Sequence, residues 1–138
     1  MLIENGVRDV NIVGDEGVTP TWVAAQKGDA ETLALLIKHG GNVDQASSEF
    51  GISPLSVASD GGHWEAVSTL LANGADANKA DDEGHTPLIV AAGGGHVETL
   101  KVLLDGGGDL KKATNDNTTA MYTAASGGHT ATVRQRNE

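Results

Sequence analysis

Cysteine is absent from the 138-residue sequence. Disulfide bonds and thiolate metal sites are therefore excluded, and the composition suits a reducing compartment. The sequence also lacks an apolar run long enough to cross a membrane, and its first residues lack the basic-then-apolar layout of a secretory signal peptide. We therefore expect a soluble, intracellular protein located in the cytoplasm.

Basic residues are scarce. Nine lysines and arginines stand against 19 aspartates and glutamates, which gives a formal net charge of -10. A field of this sign repels phosphate backbones and anionic membrane surfaces. We therefore expect no nucleic-acid partner and no membrane partner, whereas a basic protein partner is favoured.

Patterns typical of catalysis and of cofactor binding are missing as well. The acidic clusters, such as Asp81-Asp82-Glu83, are predicted to lie in turns, without the apolar surroundings that a general acid needs. The spacing of a calcium-binding loop is absent. No serine stands in a strand-turn-helix elbow, and no glycine run follows a strand as a phosphate loop requires. We predict that the chain is not an enzyme and that it holds no cofactor and no metal.

The stretch Gly84–Asp109 has the pattern of two short helices joined by a turn. Thr86 can cap the first helix through its side-chain oxygen, and Pro87 suits the first helical position. Glycines 93–95 are expected to end this helix and to allow a tight reversal. In the second helix an apolar stripe at helical spacing is predicted to face inward. The stripe consists of Val97, Leu100, Leu103 and Leu104.

The same unit recurs along the whole chain. Its capping positions are separated by 34, 33 and 33 residues and are Thr19, Ser53, Thr86 and Thr119. The turn between the helices repeats in phase as Gly28-Asp29, Gly62-His63, Gly95-His96 and Gly128-His129. One pair of helices cannot bury its own apolar stripe, so the copies are expected to stack on each other.

This combination of Thr-Pro-Leu, Ala-Ala and Gly-His elements resembles the ankyrin repeat family, and the resemblance covers nearly the whole chain. It implies an all-α fold, an ankyrin-repeat α-solenoid of stacked helix pairs joined by β-hairpin-like turns. It also implies a protein-protein interaction module without enzymatic activity. One alternative is a targeting or regulatory fragment of a larger multidomain protein or enzyme. A metal-binding scaffold built on a ladder of histidines is a less favoured alternative.

The repeat period divides the single domain, residues 1–138, into copies. Residues 1–13 are expected to be the remnant of a preceding repeat, followed by repeats at 14–47, 48–80 and 81–113 and by a C-terminal capping repeat at 114–138. Leu2 and Ile3 look like the inner face of a helix. We therefore expect either part of a longer array or self-association through the uncapped N-terminal end. Polar residues at normally apolar positions predict the C-terminal cap. They are Thr130, Arg136 and Asn137.

The histidine that the family usually places after Thr-Pro-Leu is missing from every copy. Its position holds Trp22, Ser56, Ile89 and Tyr122. We expect packing of Trp22, Ile89 and Tyr122 between repeats to replace the hydrogen bonds of that histidine. Trp64 is expected to pack between repeats too.

Glycine is abundant, with 19 residues. Positive φ angles are predicted in the connecting turns, at Gly17, Gly51 and Gly84, and at Asn117 in the fourth copy. Gly93, Gly94 and Gly127 lie at predicted helix ends, where the family often has larger residues. Since each truly helical glycine costs roughly 0.5–1 kcal/mol relative to alanine, we expect a marginally stable array.

Three histidines, His63, His96 and His129, recur at 33-residue spacing. Such a ladder offers ligands for Zn²⁺ or Ni²⁺. However, successive copies are expected about 10 Å apart, by analogy with packed helices, whereas two ligands of one zinc ion must lie within about 4 Å of each other. Hydrogen bonding and packing by the rings are therefore favoured over metal binding.

The resemblance implies that partners bind in a concave groove formed by the turns and the first helices, where most of the acidic residues lie. Phe50, the one phenylalanine of the chain, is the best candidate for an anchor because its turn is predicted to be exposed and acidic. The implied contact residues are Asp15, Glu16, Val18, Gln26, Lys27, Glu49, Phe50, Ile52, Asp60, Asp82, Glu83, His85, Asn115, Asp116, Thr118 and Ser126.

Overall fold

The computed structural model describes residues 10–14, 17–129 and 133. These residues form seven α helices and no strand, which confirms the predicted all-α fold. One isolated antiparallel β-bridge joins Ala113 and Thr119. The helices are α1 (Pro20–Lys27), α2 (Ala30–Lys38), α3 (Pro54–Asp60), α4 (Trp64–Ala72), α5 (Pro87–Gly94), α6 (Val97–Asp105) and α7 (Ala120–Ser126).

Four of these helices begin in the same way, at the predicted caps. The hydroxyl of the capping residue accepts a hydrogen bond from the backbone N–H three residues later, which satisfies a donor that the helix itself leaves unpaired. The four N–H···O distances are 3.2 Å at Thr19, 3.1 Å at Ser53, 3.3 Å at Thr86 and 3.2 Å at Thr119. A proline follows the cap in α1, α3 and α5, where its missing N–H leaves no hydrogen bond unmade.

The helices stack in two rows. The first helices of the copies, α1, α3, α5 and α7, pack side by side, and the second helices, α2, α4 and α6, pack in a second row. The core lies between the rows. Its largest apolar side chains without exposed surface are Leu33, Leu55, Leu70, Leu88 and Leu103. Of the predicted stripe on α6, Leu100 and Leu103 are buried, and Val97 and Leu104 are half-buried.

The helix ends differ from expectation by one or two residues. Helix α5 continues through Gly93 and Gly94, so these two glycines do not end it. The reversal occurs at Gly95, whose φ is 69°. His63 and His96 stand immediately before the second helices α4 and α6, without a side-chain hydrogen bond to the helix.

Two of the four side chains expected to pack between copies are buried and two are exposed. Trp22 and Ile89 are buried as expected. Tyr122 is 67% exposed and Trp64 is 45% exposed, so neither packs between copies. Tyr122 lies on α7, the last helix of its row among the described residues, and Trp64 is the first residue of α4, next to the exposed Glu65.

The Trp22 ring also makes a hydrogen bond between copies. Its indole Nε1 donates to the carbonyl oxygen of Ile52 over 2.8 Å. Packing was expected to replace hydrogen bonding at this position, but Trp22 does both. Three expected features lie outside the described residues: the helix remnant with Leu2 and Ile3, the tip of the first turn at Asp15 and Glu16, and the polar cap with Thr130, Arg136 and Asn137.

Candidate partner-binding groove

A turn precedes each of the four first helices, and the four turns share one kind of closing hydrogen bond. Each is closed by a backbone hydrogen bond from its first residue to the carbonyl of its last. The bonds join Gly14 to Val18 (3.0 Å, turn one), Ser47 to Ile52 (2.8 Å, turn two), Asp81 to His85 (3.1 Å, turn three) and Thr114 to Thr118 (2.8 Å, turn four). The predicted positive φ angles are confirmed at Gly17, Gly51, Gly84 and Asn117. Turn two is one residue longer than the others.

The turns are hydrogen-bonded to one another, edge to edge. The backbone N–H groups of Ser48, Asp82 and Asn115 donate to the carbonyls of Gly17, Phe50 and Glu83, over 3.0, 3.0 and 2.9 Å. The side chain of Asn115 adds a bond to the carbonyl of Asp82, over 3.1 Å. These bonds hold the turns in a row beside the first helices, so the turns form a wall of fixed position.

Phe50 is the additional residue of turn two. Its φ is 67°, a left-handed conformation that residues with a side chain rarely adopt. Such a conformation costs on the order of 1–2 kcal/mol. The Ser47 hydroxyl, which accepts from the Ile52 N–H over 3.1 Å and donates to the Glu49 carbonyl over 2.6 Å, holds the turn closed. Phe50 is 61% exposed at the tip of the turn.

A cleft of about 330 Å³ lies between turns two and three and the first helices α3 and α5. Its apolar lining is Phe50, Ile52, Val57 and Val90, and its polar lining is Ser56, Asp60, Asp81, Glu83 and His85. This volume lies at the lower end of the range of small-molecule and side-chain pockets. We call it the first cleft.

A second cleft of about 400 Å³ follows along the same wall, between α5, α7 and turns three and four. It shares Asp60, His85 and Val90 with the first cleft. Its other lining residues are Ile89, Gly93, Gly94, Thr114, Asp116, Thr118 and Thr123. The two clefts therefore form one continuous groove.

The groove is acidic. Four carboxylates line it, from Asp60, Asp81, Glu83 and Asp116, and no lysine or arginine is among its described lining residues. His85 lies between them, with its Nδ1 at 3.3 Å from Asp81 Oδ2 and at 3.8 Å from Glu83 Oε1. Negative charges on one wall of a concave surface attract cationic groups.

Asp116 is held in its ionised form by local hydrogen bonds. The Thr114 hydroxyl, which donates to Asp116 Oδ1, makes the largest contribution to lowering the pKa of this carboxyl below its ordinary value. The Thr118 hydroxyl, at 3.2 Å, adds to the decrease in the pKa. The carboxylate at this end of the groove is thus both charged and oriented.

The structure brings seven of the sixteen predicted contact residues together in the groove: Phe50, Ile52, Asp60, Glu83, His85, Asp116 and Thr118. Seven others lie outside the two clefts: Val18, Gln26, Lys27, Glu49, Asp82, Asn115 and Ser126. Asp15 and Glu16 are outside the described residues.

Sequence reasoning missed the helical floor of the groove. This floor consists of Ser56, Val57, Ile89, Val90 and Thr123. The repeat period carried the signal, because residues 56 and 89, and residues 57, 90 and 123, are equivalent positions of the first helices. The turn residues Asp81 and Thr114 also line the groove without having been expected there.

The recurring histidines lie in the turns that join the first helices to the second helices and do not line either cleft. His96 Nε2 is 3.0 Å from the carbonyl oxygen of Asp60, and His129 Nε2 is 3.1 Å from that of Gly93. Each of these two rings therefore bonds to the end of the first helix in the preceding copy. In the part of the chain that the structure describes, no three histidine, aspartate or glutamate residues come close enough to hold a metal ion.

The fold is thus a solenoid of helix pairs with a groove along its turns. A family model for ankyrin repeats in three copies matches residues 1–81 and, in a second match, residues 55–135. The chain belongs to the ankyrin repeat family. Repeats of this family are generally protein-protein interaction modules and are typically non-enzymatic.

A search of curated proteins finds no match to the chain. Within the described residues, no helix combines the length and the apolar character needed to span a membrane.

Proposed function

We propose that this protein is a non-enzymatic binding module that takes a basic segment of a partner protein along the acidic groove. The observation that carries the proposal is the charge of the groove. Asp60, Asp81, Glu83 and Asp116 line it on both sides of His85, without a lysine or arginine among the described lining residues. Complementary charge increases the rate of association and selects basic over acidic partners.

Phe50 supports the same proposal from its conformation. A left-handed phenylalanine is unfavourable for folding, and its ring is exposed at the border of the first cleft. A position that is unfavourable for stability and still presents an aromatic ring to solvent is typical of a binding site. We propose that the ring is the apolar anchor of the interface and that the neighbouring carboxylates select the basic partner.

The test compares two variants of the full chain as bait for proteins from a cell lysate, with identification by mass spectrometry. The groove variant carries Phe50→Gly, Asp60→Asn and Glu83→Gln. Glycine is chosen for position 50 because it adopts a positive φ without strain, so the turn is expected to keep its shape. We expect the unmodified chain to retain basic proteins and the groove variant to lose them.

The control variant carries Glu65→Gln and Glu98→Gln. It removes the same number of negative charges from exposed positions of α4 and α6, outside the groove. We expect it to retain the same proteins as the unmodified chain. If all three chains retain the same proteins, or none retains any specifically, the groove is not the binding surface.

A further inference from the structure

One side chain of the groove can change its charge within the physiological pH range. Four carboxylates line the two clefts, and His85 is the one histidine among their described lining residues. Histidine is the side chain that ordinarily changes its charge between pH 5 and pH 8, whereas carboxylates titrate mainly below that range. The His85 side chain is 38% exposed, so a proton from solvent can reach its ring. The charge of the groove therefore depends on pH through this residue.

The His85 ring faces a carboxylate of fixed position. Asp81 Oδ1 accepts from the backbone N–H groups of Glu83 and His85, both over 2.9 Å, which holds the Asp81 carboxylate in place within turn three. The ring nitrogen Nδ1 lies 3.3 Å from both oxygens of Asp81 and 3.8 Å from Glu83 Oε1. Both ring nitrogens of a protonated histidine are donors, so a charged His85 forms an ion pair with Asp81 and attracts Glu83.

Other elements place carboxylates along the same clefts. Helix α3 contributes Asp60, which lines both clefts, and turn four contributes Asp116 to the second cleft. The pKa of Asp116 is lowered mainly by the Thr114 hydroxyl and, as the smallest contribution, by the charge of His85, so the two side chains lie within electrostatic range of each other. Turn two and helices α5 and α7 contribute no charged residue to the described lining. The charged groups that line the clefts with His85 are thus all acidic.

His85 also lies where a bound segment must pass. It belongs to the lining of both clefts, so a segment that extends from one cleft into the other runs beside its ring. Protonation of the ring decreases the negative charge of the lining from four to three. The protonated ring also repels the cationic groups of a bound segment.

We propose that His85 makes binding along the groove sensitive to pH, so that a basic segment binds more tightly while the His85 ring is neutral than when it is protonated. This regulation rests on the binding function proposed above. The protonated ring pairs with Asp81 and Glu83, whose carboxylates otherwise attract the cations of the partner. Because coupling between two ligands is reciprocal, a bound cationic segment also opposes protonation of His85.

The first test uses octalysine, acetylated and amidated at its ends, as the probe. The histidine Cε1–H NMR signals of the full chain are followed from pH 5 to pH 8, with and without the peptide. We expect octalysine to lower the pH of half-protonation at His85 by about 0.3–0.7 pH units, which corresponds to a two- to fivefold difference in affinity between the two forms.

His39 is the control in this test, because it is exposed at the end of α2 and lines neither cleft. Its half-protonation should change much less when octalysine is added. An equal decrease at His39 would show that the peptide binds without preference for the groove. That result, or no decrease at His85, would overturn the proposal.

The second test measures the affinity for octalysine by calorimetry at pH 8 and at pH 5.5. The unmodified chain should bind about two- to fivefold more weakly at the lower pH. His85→Gln should lose most of this difference, because glutamine keeps the backbone N–H that donates to Asp81 but cannot gain a proton. His39→Gln is the matched control and should keep the difference. The same pH dependence in all three chains would contradict the role of His85.

The two proposals fail differently. If the unmodified chain retains basic proteins from the lysate equally at pH 8 and at pH 5.5, while the groove variant loses them, the proposal on His85 is wrong and the binding function stands. If octalysine affects His85 but not His39, and the chain retains no protein specifically, the effect of His85 on cation binding stands and the proposed function is wrong.

Discussion

At the scale of single residues, one asparagine or aspartate side chain per copy forms hydrogen bonds to the backbone of the next copy, on the side of the second helices. Asn78 accepts from the Asp109 N–H over 2.8 Å and donates its Nδ2 to the Gly107 carbonyl over 3.0 Å. Asn11 makes the same pair of bonds to residues 42 and 40, over 2.7 and 3.1 Å. Asp44, at the equivalent position, accepts from the Asp76 N–H over 3.1 Å but has no N–H to donate. At Asp44 the connection between copies therefore lacks the donated hydrogen bond and keeps only the accepted one.

We predict that Asp44→Asn stabilises the protein. The new amide can donate to the Gly74 carbonyl, which is the equivalent of Gly107, and one added hydrogen bond contributes about 0.5–1.5 kcal/mol. Urea unfolding measures the change in the free energy of unfolding. Asp105→Asn, an exposed substitution with the same change of charge, is the control. Equal effects of the two substitutions would show that the charge, not the hydrogen bond, is responsible.

The lowered pKa of Asp116 indicates how the free energy of unfolding depends on pH. Its folded pKa is below the ordinary value of 3.8, mainly because the Thr114 hydroxyl bonds to the charged form. The unfolded chain therefore binds a proton at a higher pH than the folded chain does. The contribution of Asp116 to stability is complete above pH 3.8 and is lost as the pH falls through the lower folded value.

The urea midpoint, measured above and below that pH, should fall more steeply for the unmodified chain than for Asp116→Asn. Asp29 keeps an acid dependence in both proteins, because the Thr32 hydroxyl and then the Thr32 N–H lower its pKa as well. If the urea midpoints of the two proteins decreased equally as the pH falls, the assignment to Asp116 would be contradicted.

At the scale of elements, glycines make room for the histidine rings between copies. A Cβ built on Gly62 would lie 2.6 Å from His96 Nδ1, and one on Gly127 would lie 2.7 Å from His129 Nε2. A Cβ on Gly94 would meet His96 Nε2 even more closely. The helix-end glycines were expected only to reduce stability. Gly94 and Gly127 instead permit the rings to lie against the backbone, where His96 and His129 bond to carbonyls of the preceding copy.

We predict that Gly62→Ala destabilises the protein by at least about 1 kcal/mol, because alanine at a φ of 69° is strained and its methyl group meets the His96 ring. A double-mutant cycle in urea separates the two causes. In the His96→Ala background the methyl group has no ring to meet, so the substitution should be less destabilising. Additive effects of the two substitutions would refute the steric contact.

At the scale of the whole molecule, stability comes from packing between neighbouring helix pairs. The first helices contact each other from α1 to α7, and the second helices from α2 to α6. Leu103 on α6 is completely buried in the resulting core. The buried apolar residues of the described copies form one continuous cluster.

Leu103→Ala should therefore decrease the free energy of unfolding by about 2–5 kcal/mol, through lost burial and the cavity that remains. Denaturant unfolding measures the loss. Leu104→Ala, next to it but only half-buried, should decrease stability less. A loss below about 1 kcal/mol for Leu103→Ala would be incompatible with its central position.

Features that depend on neighbours in the chain could be predicted from the sequence by itself. A cap at Thr86, a proline at position 87 and a positive φ at Gly84 follow from the residues that stand there and from those next to them. Because these features repeat at the same spacing along the chain, the order of the helices and the resemblance to the ankyrin repeat family could be recognised as well. Helix ends were predicted within one or two residues, because terminal turns depend on weak, competing hydrogen bonds.

The shape of the groove was decided only by the tertiary structure. The exposure of Tyr122 and Trp64, the hydrogen bond from Trp22 to the next copy, and the convergence of Ser56, Asp60 and Glu83 on one cleft involve residues of different copies or turns. Their distances depend on how the copies stack and on which turn carbonyl each turn N–H meets. A period in the sequence identifies equivalent positions, but only the packed helices determine which of those positions face each other across a space.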